Sequence, residues 1–102
     1  NQDNEQDALG VAQTLNKAFG FAVKEGNSSN FASTFIEITK SRYLGANGHL
    51  AVKTNSIPRA IHYLKQRGFE VDLETAKYKG DKMIAVYLKG EFGGFAMHLL
   101  QK

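Results

Sequence analysis

Among the 10 Asp and Glu and three His of this sequence of 102 residues, the types that hold divalent cations, three stand out in stretches that alternate like a β-strand: Glu37 in FIEITK, His49 in HLAVKT and His98 in FAMHLL. Two imidazoles and a carboxylate form a facial triad suited to iron, manganese, zinc or nickel, with positions left open for water or substrate. The spacings of 12 and 49 residues make no local motif. The competing reading has both histidines as satisfied core groups and Glu37 as a solvated strand residue. Which face each one occupies therefore matters.

Successive strand residues point to opposite faces. Ile36 and Ile38 oppose Phe35, Glu37 and Thr39; Leu50 and Val52 oppose His49, Ala51 and Lys53; Phe95, Met97 and Leu99 oppose Ala96, His98 and Leu100. Over residues 83–88, Ile84, Val86 and Leu88 oppose Ala85 and Tyr87. The bulky aliphatics belong against a helix. The other face then carries Glu37, His49 and His98, with Tyr87 and Lys53 beside them, and a sheet curled into a cup brings these side chains together around a ligand.

The elements that must position them can be read along the chain. Ala8, Val11, Ala12, Leu15 and Phe19 recur at the helical period, which predicts a helix over residues 7–19 stopped by Gly20. Short strands are expected at 21–23 and 31–34 around the turn-rich stretch from Gly26 to Asn30, whose amides could cradle an anion but read better as an ordinary turn. Strands at 35–40 and 49–54 flank a loop containing Gly45, Asn47 and Gly48. Ser56 is a good N-cap, Pro58 fits the first turn, and Ile57, Ala60, Ile61 and Leu64 line one face of a second helix ended by Gly68. Further strands are expected at 69–71, 76–79, 83–88 and 95–100.

In order, residues 45–102 read as a β-α-β-β-β module, and residues 1–44 as the same module lacking its opening strand. A weak echo supports the repeat: FGFAV at 19–23 parallels RGFEV at 67–71. The expected fold class is α+β, one domain of two tandem β-α-β-β-β modules. An unpaired edge in the first module invites pairing with another chain, so a homodimer or strand exchange between copies is expected.

Composition narrows the function classes. The length allows one core and excludes a TIM barrel. The absence of cysteine excludes disulfides, zinc ribbons, iron–sulfur clusters and thiol catalysis, and fits a reducing cytoplasm. Residues 1–10 hold three acids and no base, while the 13 Lys and Arg that follow are scattered, without the clustering and aromatic interleaving of a nucleic-acid groove. No apolar run suits a membrane span, and no Walker loop, nucleophile elbow or dinucleotide glycine pattern is present. The chain begins at Asn1, not at methionine, which raises the expectation of a piece of a longer protein.

IEI at 36–38, NGHLAV at 47–52, RGFEV at 67–71 and GGFAMHL at 93–99 resemble the vicinal oxygen chelate superfamily, which includes glyoxalase I, extradiol dioxygenases and bleomycin-resistance proteins. The resemblance implies a cupped sheet over a metal or ligand site. Glu37 matches the family's last-strand carboxylate in the first module and His49 its first-strand histidine in the second. His98 stands where a glutamate is usual, and a fourth ligand would fall on the strand that the first module lacks. A narrower resemblance, carried by FGFAVKEGNSS at 19–29, GHLAV at 48–52 and GGFAMHLLQK at 93–102, is to the C-terminal extension of bacterial bifunctional aldolases acting on 2-keto-4-hydroxyglutarate and 2-keto-3-deoxy-6-phosphogluconate. It implies an accessory domain, for assembly or for binding a metal or small ligand, whose partner is an N-terminal barrel carrying the Schiff-base lysine. The alternative it leaves open is a metal-dependent enzyme of glyoxalase or dioxygenase type, with Glu37, His49 and His98 as ligands. No nucleotide cofactor is implied.

Overall fold

A computed structural model describes all 102 residues. The chain is α+β, with two helices, a three-stranded sheet and a four-stranded sheet. It divides between Tyr43 and Leu44 into two compact units. No helix is long and apolar enough to cross a membrane.

The first unit opens with α1 (Glu5–Phe19), whose N-cap Asn4 accepts a hydrogen bond from the Asp7 amide at 2.8 Å. Gly20, at φ 73°, ends it in the left-handed conformation that glycine adopts without a Cβ penalty. Three antiparallel strands follow, β1 (Val23–Glu25), β2 (Ser29–Ala32) and β3 (Ile36–Thr39), in that spatial order. Ala8 and Ala12 pack on Ala32 and Ile38, with Val11, Leu15, Phe21, Val23 and Ile36 around them. Alanine at the two buried helix positions lets the helix backbone approach the sheet closely.

The second unit runs β4 (Gly48–Thr54), α2 (Ile57–Gln66), β5 (Val71–Lys79), β6 (Lys82–Leu88) and β7 (Phe95–Gln101), with spatial order β4-β7-β6-β5. The β4 and β7 strands are parallel; the other pairs are antiparallel. Ser56 caps α2 through the Arg59 amide, and Gln101 supplies Oε1 to the amide of Ile57 at 3.0 Å. At the far end Phe69 N–H bonds to Leu64 and Gly68 N–H to Lys65, the Schellman pattern. Ile57, Val86 and Leu99 form the core, lined by Ala60, Ile61, Leu64, Val71 and Leu88.

Several expectations change. The strands expected at 69–71 and 76–79 are one strand, β5, with register shifts between Asp72 and Tyr78; Asp72 and Thr75 hold the irregular turn, so a polar stretch that reads as a break is spanned by side-chain bonds. The strands expected at 21–23 and 31–34 each shift by about two residues. Phe35 lies in the turn before β3 and is 88% exposed instead of sharing a strand face with Glu37. Phe19 leaves the α1 core face and stacks on Phe21 at 5.5 Å. Leu50 and Val52 are not covered by α2, which packs over β6 and β7; on the outer strand β4 they stay 49% and 47% exposed.

Asn30, placed by sequence in a turn, is instead in β2 and wholly buried, and neither its Nδ2 nor its Oδ1 meets a hydrogen-bond partner. It lies opposite Ile38 as Val86 lies opposite Leu99 in the other unit. A buried amide without partners carries an uncompensated desolvation cost of about 1–3 kcal/mol. Asn30→Val is therefore expected to stabilise the first unit by about that amount, read as a higher denaturation midpoint at unchanged slope; a lower midpoint would show that the amide is satisfied in solution.

Candidate functional site

Parallel pairing of β4 with β7 sets the site. Because a parallel ladder puts residues of equal register on the same face, Ala51 opposite His98 and His49 opposite Ala96 place both histidines on one face, one step apart. The start of this ladder is laced tightly. Asn47 donates its amide to the Gly94 carbonyl at 2.7 Å and its Nδ2 to the Gly93 carbonyl at 3.2 Å. Gly94 has φ 81°, and a Cβ there would run into the Asn47 side chain, so this lacing requires glycine on both conformational and steric grounds. Two residues further on come His49 and, on β7, the strand that carries His98.

Tyr87 on β6 is directly opposite His98. Its ring stacks on that imidazole with centroids 4.6 Å apart and planes at 26°. His49 meets both rings edge on, at 5.5 Å from His98 and 6.2 Å from Tyr87. The three rings form one cluster, with Tyr87 only 8% exposed and both histidines half-buried. Lys53 shares the face two residues beyond Ala51, opposite Leu100, and is exposed. Ala51, Ala85 and Ala96 share the face with the rings, Ala51 exposed and Ala96 buried.

Thr75 is a positioning residue that the sequence did not single out. Its hydroxyl donates to the Asp72 carbonyl at 2.7 Å and accepts the Tyr87 amide at 2.9 Å, across the irregular stretch of β5. The signal that could have found it is Asp72 three residues earlier, whose Oδ1 accepts from the Glu74 amide as local turns require. Without this bridge Tyr87 would sit beside a strand that has lost its ladder.

Glu37 belongs to the first unit. It lies on the β3 face turned away from α1, is exposed, and its Oε1 accepts from the Ser29 hydroxyl at 2.7 Å. Ser29 is buried, so this bond fixes the carboxylate against β2. The structure thus groups His49, His98 and Tyr87 in one unit and places Glu37 on the other. Within neither unit do three His, Asp or Glu side chains gather as a cation-holding group.

The separation of the two imidazoles is near that of two imidazoles on one divalent cation. With metal–nitrogen distances of about 2.0–2.1 Å, two ligating imidazoles have centroids about 5 Å apart, close to the 5.5 Å between His49 and His98. The aromatic wall and the small alanines beside it equally suit a planar organic ligand, with Lys53 available to an anionic group.

A scan against protein-family models found no match, and neither a search of curated proteins nor one of solved structures found any.

Thr75→Val keeps shape but removes both hydroxyl bonds. It is expected to destabilise the second unit by about 1–3 kcal/mol and to shift the ring resonances of Tyr87 and His98. Unchanged ring resonances would show that Thr75 does not position the cluster.

Proposed function

We propose that this chain is a glyoxalase-like accessory domain, built from two tandem β-α-β-β-β modules with a cupped sheet, that serves an aldolase barrel carried on a longer polypeptide. In this reading it has no aldolase activity of its own. It works in the cytoplasm and holds a small ligand over the face that bears His49, His98, Tyr87 and Lys53. The observation that carries the proposal is the ring cluster: two imidazoles and a nearly buried phenol meet on one sheet face beside small side chains. The vicinal-oxygen-chelate resemblance of the strands bearing those residues supports it.

The second reading is a metal-dependent enzyme of glyoxalase or dioxygenase type. The centroid separation of His49 and His98 favours it. A zinc, manganese, nickel or iron ion held there by the two imidazoles would supply Lewis-acid chemistry to paired substrate oxygens. The protein's own part is to fix the imidazoles by strand register and by the Tyr87 stack.

Elemental analysis and metal titration separate the two. The accessory reading with an organic ligand expects no stoichiometric metal, and chemical shifts at His49, His98 and Tyr87 when small 2-keto acids are added. One tightly bound ion per chain, lost in His49→Ala and in His98→Ala, would instead favour an enzyme or a former enzyme. Release of pyruvate from 2-keto-4-hydroxyglutarate by the chain alone would overturn the accessory assignment.

A homodimer is part of the proposal. The surface offered to a second copy is the sheet edge of the first unit, whose module lacks its opening strand. Sedimentation is expected to show dimers at micromolar concentration; a monomer at all concentrations would refute it.

A further inference from the structure

The face of the four-stranded sheet turned away from α2 carries more than rings, because the register gathers at one end of it lysines that are separate in the chain. Lys53 on β4 is opposite Leu100, Leu100 opposite Ala85, and Ala85 opposite Lys77 on β5, so both lysines lie in one row. Ala76 packs on the α2 core, which leaves Lys77 on the open side. Beyond Lys77 the register skips Ile84, pairing Tyr78 with Met83 and Lys79 with Lys82. This bulge turns Met83 to the α2 core, against which it packs, and turns Lys82 to the open face beside Lys79. In an unbroken register Lys82 would lie on the α2 side.

Lys79 and Lys82 therefore face each other across a hairpin closed by Gly80 and Asp81, with Gly80 at φ 63°. Like charges directly opposite on antiparallel strands destabilise the pair. Elsewhere the cations are matched: Lys40, Arg42 and Lys89 each meet a carboxylate, and Arg67 lies over the Tyr63 ring. Lys53, Lys77, Lys79 and Lys82 are exposed and enter no such pair. Asp81 is the one acid between Lys77 and Lys82, so this hairpin tip holds three cations against one anion, a net charge of +2. The next acid on the face, Asp72 opposite Tyr87, has its Oδ1 engaged by the Glu74 amide.

We propose that this lysine end is the anionic subsite of the ring face and that the ligand is a small organic phosphate ester. Its flat part lies against Tyr87, His98 and His49, and its phosphate is held by Lys77, Lys79 and Lys82, with Lys53 at the far edge of the row. The assignment rests on the ring cluster being the binding face. Charge selects the group. A phosphate monoester carries about −1.5 to −2 near neutral pH, which matches the tip and relieves the opposed pair, whereas a single carboxylate neutralises half of it. Lysine suits this task, since its ammonium binds phosphate as a point charge on a flexible stem. Geometry sets the length. Lys77 lies one strand over and two residues along from Tyr87, so the subsite begins roughly 8 Å from that residue, within reach of a short carbon chain.

The test uses phenyl phosphate as probe, followed by amide and ring resonances, against inorganic phosphate, phenol and sodium chloride at matched ionic strength. Phenyl phosphate is expected to shift the Lys79 and Lys82 amides and the Tyr87 and His98 rings together, with an affinity at least about tenfold above that of inorganic phosphate or phenol because its two parts are linked. The double variant Lys79→Gln, Lys82→Gln is expected to remove that gain and leave phenol binding unchanged. Lys82→Glu is expected to raise the denaturation midpoint in the absence of ligand, since it makes a repulsive pair attractive, while abolishing the phosphate response. Sodium chloride reproducing the shifts, or phenyl phosphate binding unchanged in the double variant, would overturn the proposal. Lysine shifts without ring shifts would remove the ring face on which it rests. Ring shifts with 2-keto acids but silent lysines with phenyl phosphate would overturn it and leave the ring face standing.

Discussion

The parallel pairing of β4 with β7 is the constraint on which the candidate site depends. Parallel strands cannot be joined by a tight turn, so the chain must cross over, and here it does so through α2 and returns through β5 and β6 before β7 closes against β4. The crossover is held at both ends. Ser56 and Gln101 satisfy the first amides of α2, and Asn47, Gly93 and Gly94 lace the opposite end of the ladder. Between these clamps the register is fixed, and register alone decides that His49 and His98 share a face. A slip of one residue in β4 would send His49 to the α2 side and leave a lone imidazole beside Tyr87.

The two units solve one packing problem with different side chains. In the second, Ile57, Val86 and Leu99 fill the space between helix and sheet. In the first, Ala8 and Ala12 bring the helix closer, and Asn30 occupies the place of Val86. The smaller core has less apolar area to bury and carries a buried amide as well, so the hydrophobic contribution to its stability is lower. It also has three strands to the other unit's four, and the backbone bond of Gln2 and the side-chain bond of Asn1 to Thr39 extend the sheet by only a fragment.

Aromatic chemistry gives the site its character. Tyr87 stacks on His98 and meets His49 edge on, so the imidazoles are oriented by ring contacts as well as by strand geometry. Thr75 sets Tyr87 from behind by taking its amide. Such a wall suits either a cation held by two nitrogens or a flat ligand held against three rings.

Local chemistry determined much of this from sequence alone. The helical period of Ala8, Val11, Ala12 and Leu15, the caps at Ser56 and Gly20, and the alternation in the strands that became β3, β4 and β7 depend on neighbours within a few residues, which any reader of the chain can see. So did the assignment of Glu37, His49, His98, Tyr87 and Lys53 to strand faces turned from the helices, since a period of two needs no tertiary information. Tertiary structure decided the rest. That Leu50 and Val52 stay half exposed depends on which strands α2 lies across, and that Asn30 is buried in a strand depends on its partner Ile38. The unity of β5 depends on Thr75 meeting β6. The meeting of His49 with His98, 49 residues apart, follows from a parallel ladder that no local pattern encodes, because the energy that sets it is shared between segments distant in the chain.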